Sequence, residues 1–213
     1  MSSKRFEALV VDYGGVLTTP LHEAMIGFCE EVGIELQDLA RAALGVYYGG
    51  EDDLVVAFET GRMSEEDFSH AFARRLTEQT GVEISHEGLV GRMFAGMELA
   101  TPMLTAVEVA RRAGLKTGLL SNSWGTELYS RDALEGLFDA VVISGEVGMR
   151  KPDPEIFGLA VERLGVSATE CVFVDDHPGH LTAAEEAGMT TVLHKTPAET
   201  ISQLEELLGV DLH

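Results

Sequence analysis

The sequence predicts an α/β fold whose parallel sheet carries helices on both faces. Two observations predict it. Five short, β-rich runs are continuously apolar rather than alternating, which is the pattern of strands buried on both sides. Helix-like segments alternate with the later runs, and that alternation requires crossover connections and a parallel sheet.

The first run is Phe6–Asp12, FEALVVD, and it ends in the turn Tyr13-Gly14-Gly15. A helix is expected next, because Leu21, Met25, Phe28 and Val32 recur at helical spacing and the pattern stops at Gly33. Shorter helices are expected over Leu36–Val46, Leu54–Glu59 and Gly88–Gly96. Between them, Ser64 with Asp67 three residues on is close to a capping box; Phe68, Phe72 and Leu76 share one face, and Gly81 ends the helix. About a hundred residues separate the first strand from the second, too many for one crossover helix. The stretch is read as a helical insertion: residues 1–18 and 98–213 form the strand-carrying core and residues 19–97 a small helical domain.

The core then continues in order. A helix is expected over Pro102–Ala113, a strand over Leu115–Ser121 and another over Asp139–Ser144. A helix over Pro154–Leu164 leads to the strand Cys171–Asp176; helix Leu181–Ala187, strand Thr190–Lys195 and helix Ala198–Leu208 complete the chain. There is no internal repeat and no low-complexity stretch.

Composition narrows the function. Of 213 residues, 45% are hydrophobic and 24% charged, an ordinary globular balance that needs no disulfide or structural metal. Thirty-six acidic residues against 15 basic ones give a formal charge of −21, which excludes nucleic acid and anionic membranes as first partners. Cys29 and Cys171 have no metal-binding spacing and are read as buried thiols in a reducing cytoplasm. No apolar run approaches the ~18 residues of a membrane helix, and no signal peptide is visible. A cytoplasmic monomer or homodimer is expected.

Ligands of open parallel sheets bind at the carboxyl ends of the strands. Here those ends are polar: Asp12, then Ser121-Asn122-Ser123, then Asp175-Asp176, with Arg150-Lys151-Pro152 shortly after the third strand. Adjacent carboxylates repel unless a hard cation sits among them, and Mg²⁺ takes one or two carboxylates together with substrate phosphate. Lys151 would neutralise phosphate oxygens. Ser121, Asn122 and backbone N–H groups of the turn, Gly15 among them, would bind the rest. Asp12 would be free to attack phosphorus, as carboxylates do in aspartyl-phosphate enzymes.

The four segments VVDYGGVLTTP, GLLSNS, GMRKPDPEIF and VFVDDHPGHLTAAEEAGM, in this order, resemble the haloacid dehalogenase superfamily. The resemblance implies a Rossmann-like three-layer α/β/α core with an all-helical cap inserted between the first two motifs. It implies a Mg²⁺-dependent phosphatase of a small phosphorylated metabolite. Asp12 would be nucleophile and metal ligand, Gly14 a carbonyl ligand, Ser121 a phosphoryl donor with Asn122 beside it, and Lys151 the positioning cation. Asp176 would be the second carboxylate ligand, with Asp175 in support.

One position departs from that pattern. Phosphatases of the superfamily usually carry an acid–base Asp two residues after the nucleophile, and here Gly14 stands there. General acid–base help is commonly worth 10²–10⁴-fold. A good leaving group such as a sugar anomeric phosphate would need less of it, and His22 and His177 are candidate substitutes. Two alternatives follow: a metal-independent 2-haloacid dehalogenase, which the adjacent Asp175 and Asp176 argue against, and a catalytically weak ligand-binding protein. Trp124, the Tyr47-Tyr48-Gly49-Gly50 loop and Arg41 are candidate substrate contacts. Glu51-Asp52-Asp53 is read as an acidic helix start, and His177 and His180 as solvated histidines on a helix approach.

Overall fold

The computed structural model describes residues 6–43, 53–125 and 128–213. Five strands, β1 (Ala8–Val11), β2 (Lys116–Ser121), β3 (Ala140–Ile143), β4 (Cys171–Asp175) and β5 (Thr190–Leu193), form one sheet in the order β3-β2-β1-β4-β5. Every pairing is parallel, with Val11 registered against Leu119 on one side and Val174 on the other. The five runs legible in the sequence are these five strands, trimmed at their ends.

Side-chain alternation places two cores on the two faces. Leu9, Val11, Leu119, Val172 and Val174 pack with residues of α6 (Thr101–Arg112) and α11 (Pro197–Leu208). Ala8, Val10, Leu120, Val142 and Phe173 pack with residues of α9 (Pro154–Leu164) and α10 (Pro178–Glu186). The result is the three-layer α/β/α core. The helix α10 starts three residues before the predicted Leu181, because His177 caps it, accepting from the Gly179 N–H at 3.2 Å, and Pro178 fills the first turn.

Among the described residues, five helices lie between β1 and α6: α1 (Leu21–Val32), α2 (Leu36–Ala43), α3 (Asp53–Glu59), α4 (Glu65–Thr80) and α5 (Leu89–Met93). The Ser64 hydroxyl accepts from the Asp67 N–H at 3.1 Å to cap α4, and Gly81 ends it in a left-handed conformation. These helices share a third apolar cluster built on Phe28, Phe58, Phe68, Phe72, Val90 and Met93, which Trp124 joins from the loop after β2. The chain leaves the sheet and returns to it side by side: Thr18 and Leu99 form an antiparallel bridge, flanked by Thr19 N–H to Glu98 O at 2.7 Å and Ala100 N–H to Leu17 O at 2.8 Å. Two short helices escaped the sequence reading, α7 (Arg131–Leu134) and α8 (Ser144–Val147). Each spans four residues, too few for periodicity to register. Among the described residues no helix is long and apolar enough to cross a membrane.

Candidate active site

The sheet order sets β1 between β2 and β4, so Asp12, Ser121 and Asp175 meet at adjacent strand ends. The Asp12 N–H continues the ladder by donating to Val174 O at 2.9 Å. Lys151, on the segment between α8 and α9, is fully buried. Its Nζ stands 2.9 Å from Asp12 Oδ1 and 2.6 Å from Asp175 Oδ2. A buried ammonium is costly unless paired, and here two carboxylates pair it.

The two carboxylates respond differently. Burial pushes the Asp12 carboxyl up to about 7; Lys151 pulls against that, and Asp175 and Asp176 add to it. Asp175 is held below the usual range: burial opposes its charge, but Lys151 and His180 outweigh it. Asp175 is also saturated with donors. Its Oδ1 accepts from the His177 N–H at 2.8 Å and lies 3.0 Å from His180 Nδ1, while Oδ2 takes Lys151. The side chain of Asp175 therefore fixes Lys151 and His180 in place.

Asp12, Asp175 and Asp176 each offer a carboxylate oxygen, all within 4.8 Å of one another. Gly15 permits this approach. Its φ is +75°, and a Cβ there would lie 2.3 Å from Asp176 Oδ2. The donor set is all oxygen and excess negative, which fits a hard divalent cation. With Asp175 committed to Lys151, the groups that fit such an ion are Asp12, Asp176 and the backbone of Gly14 on the cavity wall.

Several sequence expectations change at this point. Asn122 does not present its amide to a phosphoryl group. Its Oδ1 accepts from the Lys151 N–H at 2.8 Å and its Nδ2 donates to Lys151 O at 3.0 Å. Gly15 does not offer its N–H to the rim either, because Thr18 Oγ1 accepts it at 3.0 Å. His180 is not solvated: it is buried against Asp175. Burial pushes its imidazole down to about 4 despite that carboxylate. His22 is exposed, and Arg41 is exposed beside Asp38 at 3.4 Å. Tyr47, Tyr48, Gly49, Gly50, Glu51 and Asp52 lie outside the described residues. Ser121 is buried, and its Oγ accepts from the Tyr129 hydroxyl at 3.0 Å.

A cavity of about 460 Å³ opens above Asp12, with Ser121, Asp176, His177 and His180 on its rim and Leu21, Met25 and Trp124 on its wall. Beneath the wall lies a buried pair that sequence reasoning missed. Glu59, at the end of α3, places Oε2 2.7 Å from Arg150 Nε, one residue before Lys151. Burial pushes the Glu59 carboxyl up to about 7, outweighing the Arg150 guanidinium. The Ser144 hydroxyl donates to Glu59 O at 2.5 Å and accepts from the Ser123 N–H at 2.7 Å. Nothing local in the sequence marks Glu59, since its partners lie about ninety residues away, a separation periodicity does not report.

A family model described as haloacid dehalogenase-like hydrolase matches residues 6–188 of this chain. The chain belongs to that family. As a haloacid dehalogenase-like hydrolase it is similar to Phosphatase MT3486 of Mycobacterium tuberculosis, with 34% identity over 91% of this chain and 89% of the relative. It is 29% identical to Bifunctional epoxide hydrolase 2 of Sus scrofa over 96% of this chain, but spans only 39% of that protein's length. A haloacid dehalogenase family enzyme of Bacteroides thetaiotaomicron, solved in complex with magnesium and inorganic phosphate, superposes with a TM-score of 0.65. It is 23% identical, over 89% of this chain and 94% of the other. This hydrolase thus has its four sequence motifs on one rim of one sheet.

Proposed function

We propose that this hydrolase is a Mg²⁺-dependent phosphomonoesterase acting on a small phosphorylated metabolite through an aspartyl-phosphate at Asp12. The observation that carries the reading is the buried Lys151 between Asp12 and Asp175, beneath the open cavity that Asp12 lines. Asp12 Oδ1 is held by the Tyr13 N–H at 2.7 Å and by Lys151, which leaves Oδ2 to attack. The Oδ2–phosphorus bond forms as the phosphorus–oxygen bond to the leaving alcohol breaks. The oxygen departs as an anion, because Gly14 offers no proton, and takes its proton from water only after the bond has broken. A second water then attacks phosphorus, which returns the Asp12 carboxylate and releases inorganic phosphate.

A magnesium ion held by Asp12, Asp176 and the Gly14 carbonyl would neutralise charge on the phosphoryl oxygens. The chain's own groups do the remainder. Lys151 keeps Asp12 oriented, Ser121 presents a hydroxyl fixed by Tyr129, and Asp175 keeps Lys151 charged by direct pairing. We read residues 19–97 as a cap that closes over this cavity; the paired exit and return at Thr18 and Leu99 support that reading. The phosphatase name of the Mycobacterium tuberculosis relative supports the reaction class.

The test is phosphate release from an activated aryl phosphate, with Mg²⁺ and with chelator, for wild type and Asp12→Asn. Release that needs both Mg²⁺ and Asp12 is the expected result. A comparable rate in Asp12→Asn would sink the nucleophile assignment.

A further inference from the structure

Resting on the phosphomonoesterase reading, we infer that the substrate is the phosphate ester of an uncharged, apolar, phenol-type hydroxyl: an aryl monophosphate. Two independent features of the cavity carry this.

The first is what stands where the leaving group departs. Gly14 is the position that would place a proton donor over the phosphoryl group. A Cβ built at Gly14 would meet Leu21 Cδ1 at 3.0 Å and Cδ2 at 3.2 Å. Leu21 thus packs against the position from which an acidic side chain would extend. On the Gly14 side the departing oxygen faces hydrocarbon, and the imidazoles of the cavity, His177 and His180, stand beside Asp176 and Asp175 instead. An oxygen that leaves without a proton must be a stable anion by itself. A phenol, with a pKa near 10, meets that condition, whereas an aliphatic alcohol, whose acidity is close to that of water at ~15.7, does not.

The second is the wall that the rest of the substrate must touch. Leu21, Met25 and Trp124 form it, and a narrow apolar slot beside it continues to Phe94, Met97 and Leu128. Trp124 is held rigid by edge-on contacts with Phe58, Phe68 and Phe94 at centroid distances of 6.4, 5.9 and 5.7 Å. A polyol pressed on this surface would leave hydroxyls without partners, which is unfavourable. Among the described residues no Lys or Arg lines the cavity or the slot, and the sequence offers none between Arg41 and Arg62. Lys151 lies beneath Asp12, and Arg150 is committed to Glu59. A second phosphate or a carboxylate on the substrate would find no lysine or arginine there among the described residues. A sugar phosphate, the good leaving group expected from sequence alone, satisfies the first feature and fails the second.

The test uses the Mg²⁺-loaded full chain and four esters: phenyl, 1-naphthyl, cyclohexyl and glucose 1-phosphate. Phenyl phosphate is expected to exceed cyclohexyl phosphate in kcat/KM by ~10²-fold or more, the size of missing acid catalysis. 1-Naphthyl phosphate, with a comparable leaving group and a larger apolar surface, is expected to exceed phenyl phosphate by ~10-fold. Leu21→Ala is expected to shrink the naphthyl advantage. Turnover of phenyl phosphate with a naphthyl advantage under threefold overturns the inference and leaves the phosphomonoesterase reading intact. So does cyclohexyl or glucose 1-phosphate turned over within tenfold of phenyl phosphate. No turnover of any of the four esters overturns the phosphomonoesterase reading, and this inference with it.

Discussion

Asn122 is joined twice to the main chain of Lys151, accepting its N–H at 2.8 Å and donating to its carbonyl at 3.0 Å. An asparagine at the end of β2 thereby mimics a neighbouring strand and pins the segment that delivers the buried ammonium to Asp12. Asn122→Ala leaves both backbone groups without these partners. The expected cost is ~1–3 kcal/mol of stability per unpaired buried group. The displaced lysine should lower kcat by ~10²-fold. Thermal melts and steady-state kinetics read the two effects separately; an Asn122→Ala enzyme with wild-type kcat would show that the pin is dispensable.

Gly15 and Asp176 are matched in space. Gly15→Ala introduces a Cβ at a φ of +75° and within 2.3 Å of Asp176 Oδ2, so the carboxylate must move. The backbone strain alone is ~1–2 kcal/mol. Magnesium affinity, measured by isothermal titration, is expected to fall ~10-fold or more. Unchanged affinity would remove Asp176 from the proposed ligand set.

Lys151→Met leaves Asp12 and Asp175 facing one another without their shared cation. Loss of one partner from a buried ion pair typically costs ~3–5 kcal/mol. The defect should be largest at alkaline pH and shrink in acid, where protonated carboxyls need no counter-charge. Urea denaturation at pH 5 and pH 8 reads the difference, and an equal defect at both would point to packing rather than charge.

The Glu59 carboxyl, pushed up to about 7 from the usual 4.5 by burial, has a defined signature. The folded state holds a proton that the unfolded chain releases at lower pH, so the contribution to stability is complete below about 4.5. It is lost progressively as pH rises to about 7, a difference of ~3 kcal/mol at most. Glu59→Gln should flatten the stability profile in that window. A variant whose profile parallels wild type would assign the pH dependence to other groups.

The five strands were legible because each is a short run of continuous hydrophobicity with a polar end, and those ends are what the site is made of. Asp12, Ser121, Lys151 and Asp175 converge because the sheet order makes neighbours of strands far apart in sequence. Asn122 and Asp175 were legible as site residues but not in their actual contacts. An amide and a carboxylate look the same in sequence whether they face a ligand or a backbone. Glu59, Tyr129 and the burial of His180 were not legible at all, since each depends on a partner brought in by tertiary packing.

The Thr18–Leu99 bridge and the central place of β1 together set an order of events in folding. Ala8 finds its partners at Lys116 and Cys171, so the strand carrying Asp12 leaves the ribosome well before either. Until then it is an unpaired apolar edge, the kind of surface that associates wrongly or recruits a chaperone. The five helices that follow have their own apolar cluster and can condense in the meantime. The nucleophile's strand is therefore among the first segments made and among the last secured, which makes appearance of activity a late clock for folding of the whole chain.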